Sequence, residues 1–515
     1  HRAVDRTSRQ PALKASAVSV EPVRSAAAPR ARAATPKRLL IVGAGPAGVA
    51  TAESARAHAR AGEWRVTLVG RERGLPYNRV ALSDHLAGLT SAAGLNLRGR
   101  EWYAENDIDL HVGDDVVEVD TAARVATTRA GARLPYDALV LATGSRALMP
   151  PIEGIDREGV FAFRTRDDVR RILAGAGRAR RAIVVGGGLL GLEAARGLQE
   201  RGLPVTVVHL VDRVMERQLD APAARLLERA LHRLGIEVLL ERATTEVLGR
   251  ERAEGLRFAW GDDVPGDLVV VSAGVRPDVE LATGMGLDVE RGVVVDDAMR
   301  TNVPGVLAVG ECAQHRDVVQ GLWAPIREQA KVAGATAVGA PAAFHGAIPV
   351  TRLKVAEIDL WCAGAHSAEE LDDDEVVVMS TRTGTYRKLV VRGDRLVGAI
   401  LLGDTTLGPR LRDLIVSGEP VPADLLDGAS APAAAPGTDD ESTVVCACNG
   451  VTRGRIEAAI SAEGLTHIDQ VARATSASTG CGTCRNSVAA LLHGAGVCRT
   501  RPARDLDSSH SAADR

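Results

Sequence analysis

The sequence predicts an α/β fold in which one strand–turn–helix unit occurs twice, followed by an α+β domain and a small helical module. Three observations predict this organisation. The motif G-x-G-x-x-G follows an apolar run within residues 39–48 and again within residues 182–191. Four cysteines then cluster near the C-terminus, beyond a stretch rich in Ala, Pro and Gly. With 515 residues the chain has room for several domains, each with its own core.

The first glycine motif predicts a strand, a tight turn and a helix that together bind a dinucleotide. Gly43 permits the turn, Gly45 lets the backbone approach a pyrophosphate, and Gly48 lets the helix pack close to its strand. The intervening residues of the turn, Pro46 and Ala47, belong to the same predicted site. The pyrophosphate would lie against the N–H groups at the start of the helix, where the helix dipole is positive.

The second motif predicts an independent nucleotide site built in the same way. It contains Gly186, Gly188 and Gly191, and Val205–Leu210 supplies the next strand. Two such sites in one chain are most simply explained by one flavin and one nicotinamide dinucleotide, placed so that hydride passes between them. An NADH-selective site usually carries a carboxylate at the end of that next strand. The residue there is His209, so the choice between NADH and NADPH stays open.

Further segments predict residues around the flavin. Trp64–Val69 is the second strand of the first unit, and Glu72 after it is the candidate ligand of the ribose hydroxyls. Residues 136–144 form an apolar strand that ends in small residues. Thr301–Cys312 is expected to form a strand ending in a Gly-Glu pair, whose carboxylate can accept hydrogen bonds from the flavin polyol chain. A helix is expected from Trp323 to about Ala337, with its N-terminus aimed at the flavin.

The four clustered cysteines predict a metal or iron–sulfur site. They form a C-x-C pair, Cys446 and Cys448, and a C-x-x-C pair, Cys481 and Cys484. Four thiolates fit either a tetrahedral zinc ion or a [2Fe–2S] cluster. Because the chain has seven cysteines and most of them cluster here, a secreted disulfide framework is not expected. The clustering predicts a reducing, cytoplasmic location.

Composition excludes several other classes of protein. The 63 basic and 66 acidic residues give a net charge of −3, so no overall basic field would recruit nucleic acid or an anionic membrane. Aromatic residues make up only 3%, which disfavours base stacking. No apolar run approaches the roughly 20 residues that a membrane span needs. Residues 1–37 predict a disordered tail, with an organellar transit peptide as the alternative.

Several stretches together resemble a known family. Residues of about 38–340 resemble the two-dinucleotide FAD/NAD(P) oxidoreductases. The segments VVGGGLLGLEAA, MERQLD (Met215–Asp220) and VGEC resemble the flavoprotein part of assimilatory NAD(P)H nitrite and nitrate reductases. The cysteine spacing resembles the bacterioferritin-associated-ferredoxin type of [2Fe–2S] module, which follows the flavoprotein part in that family and favours the cluster over zinc. Asp84 and Glu311 depart from relatives, which often have Lys and Asp at these positions.

The resemblance implies specific cofactor contacts. Residues implied or predicted to contact FAD are Gly43, Gly45, Pro46, Ala47, Gly48, Glu72, Arg79, Ala142, Thr143, Gly144, Gly310, Glu311 and Pro325. Those at the nicotinamide nucleotide are Gly186, Gly188, Leu189, Leu190, Gly191, Glu193, His209 and Gly274. The cluster would be held by Cys446, Cys448, Cys481 and Cys484.

The expected domain order combines the motifs with the family pattern. The FAD-binding domain comprises residues 38–150 and 275–340, and the NAD(P)H-binding domain residues 151–274. An α+β interface domain is expected over 341–427, where strand-like runs include Arg387–Val391 and Leu396–Leu402. A linker over 428–442, the [2Fe–2S] domain over 443–497 and a tail over 498–515 complete the chain.

The predicted function is a relay from NAD(P)H through FAD and the cluster to a nitrate or nitrite reductase catalytic subunit. No further cysteine set is present to hold a sirohaem centre, so nitrite reduction by this chain alone is not expected. The nearest alternative is a rubredoxin or ferredoxin reductase, and a flavin and cluster redox sensor is a non-catalytic one. A disulfide or peroxide reductase would need a cysteine within residues 49–62, which have none. No nucleic-acid or membrane partner is expected, and a homodimer is left open.

Overall fold

The computed structural model describes residues 35–353, 355, 358–368, 370–426, 440–446, 449–478 and 484–494. The predicted terminal tails and linker lie wholly or largely outside this part of the chain. The same holds for two of the predicted cluster ligands, Cys448 and Cys481. Within the described residues, no helix is both long enough and apolar enough to cross a membrane.

The first sheet is parallel and buried, as the apolar runs predict. Its strands lie in the order Val306–Ala308, Ala138–Leu141, Lys37–Val42, Trp64–Gly70 and Ile108–Val112. The central strands Lys37–Val42 and Ala138–Leu141 are apolar and largely buried, as expected of strands covered on both faces, whereas Trp64–Gly70 and the edge strand Ile108–Val112 also expose side chains. The helices Pro46–His58 and Trp323–Ala337 pack closely on each other. A Cβ on Gly334 would lie 2.4 Å from the carbonyl oxygen of Thr51, so glycine is required at this crossing.

The second sheet repeats this architecture. Its parallel strands lie in the order Ile236–Leu239, Val205–Val208, Ala182–Val185, Leu268–Val271 and Val160–Ala162. Its helices are Arg166–Ala176, Leu189–Glu200 and Ala221–Arg233. The first strand–turn–helix unit and the second therefore have the same local order, as the repeated glycine motif predicts.

Smaller elements connect the two large sheets. There are three three-stranded sheets among the described residues. The first contains Val116–Asp120, Val125–Thr128 and Arg133–Pro135, and the second contains Thr244–Leu248, Gly255–Phe258 and Val264–Pro265. The third contains Val293–Val295, Ala313–His315 and Val318–Val319. Ser145–Ala147 pairs with Val275–Pro277. Short helices are Leu82–Leu86, Arg100–Glu105 and Glu280–Gly284, with 3-10 turns at Arg79–Ala81 and Gly310–Cys312. The strand expected over Thr301–Cys312 is confined to Val306–Ala308. A turn precedes it, in which the N–H of Val306 donates to the carbonyl oxygen of Val303, and Gly310, with a φ of +87°, begins a 3-10 turn after it.

The C-terminal sheet is antiparallel and has one helix packed on it. Its order is Val350–Arg352, Leu360–Gly364, Arg395–Leu402, Thr385–Arg392 and Asp373–Ser380. The helix Gly408–Ser417 packs on the sheet, with Gly408 against the indole of Trp361, and a short helix spans Ala423–Leu426. The predicted α+β character of this region is confirmed.

A buried lysine joins the C-terminal sheet to the second sheet's helices. The ammonium group of Lys388 lies 3.1 Å from Asp220 and 2.7 Å from Glu375, and the residue is only 3% exposed. Asp220 also caps the helix Ala221–Arg233 by accepting a hydrogen bond from the backbone of Ala223, and it accepts one from the hydroxyl of Tyr386. One carboxylate therefore fixes a helix end and a domain junction together.

The cysteine module, the described residues from 440 onward, has a small core of its own. Its elements are Val444–Cys446, Val451–Thr452, Arg453–Glu463, Ile468–Thr475 and Arg485–Gly494. Its buried apolar residues include Ile456, Ile460, Leu465, Val471, Val488 and Leu492. The side chain of Trp323, at the start of the helix Trp323–Ala337, packs against this core. The module is thus docked on the domain that contains the first sheet.

Candidate functional site

One large cavity lies between the two sheets and the cysteine module. Its volume is about 1930 Å³, whereas pockets for one small ligand typically measure about 300–1,000 Å³. The predicted site residues that line it are Gly43, Gly45, Pro46, Ala47, Glu72, Arg79, Ala142, Thr143, Gly144, Gly186, Gly188, Leu189, Leu190, Glu193, His209, Gly274, Glu311, Cys446 and Cys484. The fold thus brings both glycine turns and two of the predicted cluster ligands to one space.

The two glycine turns have nearly the same geometry. The φ angles of Gly43 and Gly186 are +116° and +118°, a region that side chains with a Cβ rarely adopt. A Cβ on Gly48 would lie 1.9 Å from the carbonyl oxygen of Gly43. A Cβ on Gly191 would lie 1.9 Å from that of Gly186. The last glycine of each motif therefore permits the helix to contact its own turn.

Other glycines leave open space in front of the backbone. A Cβ on Gly188, Gly144 or Gly274 would meet no atom within 4 Å, and one on Gly45 would meet only the side chain of Arg79, at 4.0 Å. Gly45 and Gly188 are also the N-cap residues of their helices, and neither helix start has a side-chain cap. The N–H groups there are available to an anion, which is the arrangement that a pyrophosphate requires.

Glu72 and Arg79 form one network at the first turn. Arg79 forms an ion pair with Glu72, and the hydroxyl of Tyr77 donates to Glu72 at 2.7 Å. Burial lowers the pKa of Arg79, but the neighbouring Tyr77 and Glu72 outweigh this effect and raise it. Arg79 is therefore a fixed cation beside the first glycine turn. The carboxylate of Glu72, predicted as a ribose ligand, contacts these two side chains in this structure.

Glu311 is held by two side chains that the sequence did not single out. The hydroxyl of Ser145 donates to its carboxylate at 2.8 Å, and Arg164 forms an ion pair with it. Arg164 reaches Glu311 from the segment that precedes the helix Arg166–Ala176, and the Nε atom of Arg164 has no hydrogen-bond partner among the described residues. Arg164 therefore places a guanidinium beside Glu311 at the wall of the cavity.

Glu193 is a buried carboxylate on the helix of the second turn. The hydroxyl of Ser83 donates to it at 2.6 Å, which joins the helix Leu82–Leu86 to the helix Leu189–Glu200. Leu189 and Leu190, at the start of the longer helix, line the cavity beside it. No sequence pattern indicated this role of Ser83, because Ser83 and Glu193 are 110 positions apart in the chain.

Four predicted contact residues do not line the cavity. Gly48 and Gly191 lie beneath the glycine turns, where they serve the close packing described above. Gly310 lies behind Glu311, and its N–H donates to the side chain of Gln329 at 3.2 Å. Pro325 is buried in the first turn of the helix Trp323–Ala337, although its neighbours Ala324 and Ile326 do reach the cavity.

His209 directly follows the strand Val205–Val208 of the second sheet, and its imidazole contacts two neighbouring residues. Its Nδ1 atom accepts a hydrogen bond from the N–H of Gly187 at 3.0 Å. Its Nε2 atom lies 3.1 Å from the carboxylate of Glu216. A carboxylate therefore does lie near this strand end, although it comes from the following loop. The sequence contained Glu216 in the MERQLD segment without indicating this role.

The cysteine module presents Cys446 and Cys484 to the cavity, and both residues are buried. A hydrogen bond between the two side chains and burial raise the pKa of the Cys484 thiol. The N–H of Ser478 lies 3.2 Å from the sulfur of Cys484, the kind of contact that tunes a metal–thiolate centre. Trp323 lies between module and cavity, and its indole Nε1 has no hydrogen-bond partner within the described part of the chain.

Comparison with known families is consistent with this geometry. The pyridine nucleotide-disulphide oxidoreductase family matches residues 37–337. The chain belongs to this family. A BFD-like [2Fe-2S] binding domain matches residues 444–493, and a rubredoxin NAD+ reductase C-terminal domain matches residues 349–419. The predicted combination of two nucleotide-binding domains, an interface domain and an iron–sulfur module is confirmed.

Individual relatives share most of this chain. A nitrite reductase [NAD(P)H] of Bacillus subtilis is 40% identical over 88% of this chain and 57% of its own length. An assimilatory nitrate reductase electron transfer subunit of the same organism is 36% identical over 88% of this chain and 59% of its own length. The chain thus spans less than two thirds of each relative. A putidaredoxin reductase–putidaredoxin complex has a TM-score of 0.71 and 28% identity, covering 77% of this chain and 97% of the other.

These matches identify the chain as an oxidoreductase. The family match indicates FAD and NAD(P)H, and the match of residues 444–493 indicates a [2Fe–2S] cluster. The residues present fit these groups. Open glycine turns at two uncapped helix starts suit two dinucleotides, and the cavity is large enough for both. The two buried thiols suit an iron–sulfur centre. Cys312 and Cys362 are also buried, and the four described cysteines form no disulfide with one another.

Proposed function

We propose that this chain takes electrons from NAD(P)H and delivers them, through FAD and the [2Fe–2S] cluster, to a nitrate or nitrite reductase catalytic partner. The observation that carries the proposal is the single cavity lined by both glycine turns and by Cys446 and Cys484. The partner is proposed from the names of the two Bacillus subtilis relatives, which are a nitrite reductase and a nitrate reductase electron transfer subunit.

Separate parts of the cavity would hold the three groups. The turn at Gly43–Gly45, with Arg79 and Glu311, would hold FAD, and the turn at Gly186–Gly188 would hold NAD(P)H. The cluster would be held by Cys446 and Cys484, together with Cys448 and Cys481, which lie outside the described residues. In these places FAD would supply hydride chemistry toward the nicotinamide as well as one-electron chemistry, and a [2Fe–2S] cluster would carry one electron at a time.

The chain's own residues would bind the dinucleotides and form the walls of the cavity that holds them. The two uncapped helix starts attract the pyrophosphates through their N–H groups and dipoles. The helix Trp323–Ala337 begins at the cavity, so its positive end would stabilise negative charge that develops there. Trp323 packs on the module core and also lines the cavity, so its side chain bounds the cavity on the side of the module.

An anaerobic NADH titration followed by visible absorbance and low-temperature EPR tests the relay. Bleaching of the flavin together with a reduced [2Fe–2S] signal is expected. The signal should disappear in Cys446→Ser and persist in the control Cys362→Ser, which changes a buried cysteine in the C-terminal sheet. Flavin bleaching without a cluster signal, with zinc found by metal analysis, would overturn the proposal and make the module a docking domain.

A rubredoxin or ferredoxin reductase is the second candidate, favoured by the match of residues 349–419. In that function the electrons would leave directly from FAD to a free carrier protein. Reduction of added rubredoxin by the Cys446→Ser variant at the wild-type rate would support this candidate. Reduction of a nitrate or nitrite reductase catalytic subunit that depends on Cys446 would support the proposed function.

A further inference from the structure

The nicotinamide side of the cavity has a carboxylate where the sequence indicated none. In dinucleotide-binding folds an acid at the end of the second strand binds the ribose 2′-hydroxyl of NAD. Here that strand, Val205–Val208, is followed by His209. The side chain of Glu216 enters the cavity from the next loop and meets the imidazole of His209. The loop thus supplies an acid at the place where the strand lacks one.

The hydrogen bonds of His209 fix the direction of this contact. Its Nδ1 accepts the N–H of Gly187, so Nδ1 carries no proton and Nε2 carries one. The Nε2–H group therefore donates to the carboxylate of Glu216. The His209 side chain is 11% exposed, so this donor is held in place rather than turning in solvent. His209 positions the carboxylate of Glu216.

The loop that carries Glu216 is itself attached to the glycine turn. Met215 is fully buried with a φ of +51°, and its N–H donates to the carbonyl oxygen of Gly187 at 3.0 Å. A Cβ on Gly187 would lie 2.8 Å from the ring of His209, so glycine lets the imidazole pack against the turn. Gly187 is thus contacted from two sides, by the ring and by the loop. The carboxylate is therefore fixed relative to the dinucleotide-binding backbone.

Arginines also lie near this loop. Arg213 forms an ion pair with Asp212 at 2.9 Å, donates a hydrogen bond to the carbonyl oxygen of Leu219, and does not line the cavity. Arg217 is exposed at the cavity, and the guanidinium of Arg242 lies against Gly261. These arginines would attract a 2′-phosphate, whereas Glu216 would repel it. The carboxylate of Glu216 is held at the cavity by His209, whereas Arg217, which also lines the cavity, is exposed.

We propose that Glu216, positioned by His209, is the residue that selects NADH over NADPH. Its carboxylate accepts a hydrogen bond from the 2′-hydroxyl of the adenosine ribose and repels the 2′-phosphate. This inference rests on the proposed function, since it specifies which nicotinamide nucleotide serves as the electron donor.

The test measures nucleotide preference in the full chain with FAD bound. For the wild type, kcat/KM for flavin reduction should favour NADH over NADPH by at least about tenfold, equivalent to about 1.4 kcal/mol. Glu216→Gln should lower this ratio by about tenfold through KM rather than kcat, and Glu216→Asp should retain part of the preference. Glu200→Gln is the matched control. Glu200 pairs with Arg196 at the C-terminal end of the helix Leu189–Glu200, away from the glycine turn at which the helix begins.

A binding measurement separates this inference from the relay itself. Calorimetry with ADP-ribose and its 2′-phosphorylated form should show the same preference without any electron transfer. His209→Asn should weaken the discrimination in the same direction as Glu216→Gln. A wild-type preference for the phosphorylated ligand, or an unchanged ratio in Glu216→Gln, would overturn the inference. Failure of both NADH and NADPH to reduce the flavin, with discrimination by calorimetry intact, would instead refute the proposed function.

Discussion

Replacing Lys388 with methionine is predicted to destabilise the junction between the C-terminal sheet and the helices of the second sheet. The lysine is 3% exposed and bridges Asp220 and Glu375 at 3.1 and 2.7 Å. Methionine has a similar length but no charge, so both carboxylates lose their cation. Removal of one partner of a buried ion pair costs about 3–5 kcal/mol.

The structure places the expected loss at the lower end of that range. Asp220 keeps hydrogen bonds from the N–H of Ala223 and the hydroxyl of Tyr386, and Glu375 keeps one from the N–H of Ala368. We therefore expect a loss of about 3 kcal/mol. For a cooperative unit of about 150–250 residues this lowers Tm by about 6–12 °C.

Differential scanning calorimetry of the wild type and four variants, including Lys388→Met itself, provides the measurement. Lys331→Met is the control, because Lys331 is an exposed lysine paired with Glu328 and its loss should cost less than about 1 kcal/mol. Asp220→Asn and the double variant with Lys388→Met complete a cycle that isolates the pair. Equal Tm values for Lys388→Met and Lys331→Met, or strictly additive losses in the cycle, would refute the reasoning.

The loss of stability in Lys388→Met is predicted to depend on pH. Burial raises the pKa of Glu375, but the hydrogen bond with Lys388 and the N–H of Ala368 outweigh this, and the pKa lies below its ordinary value of 4.5. A lowered folded-state pKa contributes stability above the ordinary value that is lost as the pH falls through the folded-state pKa. The Tm difference between wild type and Lys388→Met should therefore be full at neutral pH and narrow below about pH 4.5. A difference that grows on acidification would contradict this.

Two further predictions concern the site. Gly48→Ala places a methyl group 1.9 Å from the carbonyl oxygen of Gly43, so this variant should have a lower Tm and a lower FAD content. In Gly188→Ala the new methyl group meets no atom within 4 Å, so this variant should keep the wild-type Tm while its KM for NAD(P)H rises. Equal effects on Tm would be inconsistent with the two roles. Arg98→Met removes a 3.0 Å hydrogen bond to Ser476 in the module, so stopped-flow measurements should show slower cluster reduction with unchanged flavin reduction. Unchanged cluster reduction would exclude a docking role for Arg98.

The sequence predicts the elements of this fold well where chemistry is local. The helix expected from Trp323 to about Ala337 spans those residues, and the strand expected at Trp64–Val69 extends by one residue. The strand expected over Thr301–Cys312 is much shorter, because a turn at 303–306 precedes it and Gly310 adopts a positive φ after it. Local sequence patterns determine which segments form helices and strands. The ends of strands depend on backbone φ angles, and a glycine in the sequence does not show whether its φ is positive or negative.

The site was less accessible to prediction, because its contacts join distant parts of the chain. Arg164 and Glu311 are 147 positions apart, and no local pattern indicates their ion pair. Sequence also cannot separate a glycine that faces a ligand from one that permits close packing. Gly188 faces the cavity whereas Gly191 lies beneath the turn, although both belong to one motif. The partner of His209 was missed because an acid was expected on the strand itself, and Glu216 lies on the following loop.

The inward orientation of the module's thiols has a consequence for turnover. Cys446 and Cys484 are 0% and 3% exposed, and both face the cavity rather than the surface. This orientation favours loading of the module from within the chain, but it hides these sulfurs from any external protein. If the acceptor must approach them, undocking of the module becomes a unimolecular gate between loading and delivery. The rate of acceptor reduction would then reach a plateau as acceptor concentration rises, and variants that loosen docking would raise that plateau while slowing the loading step.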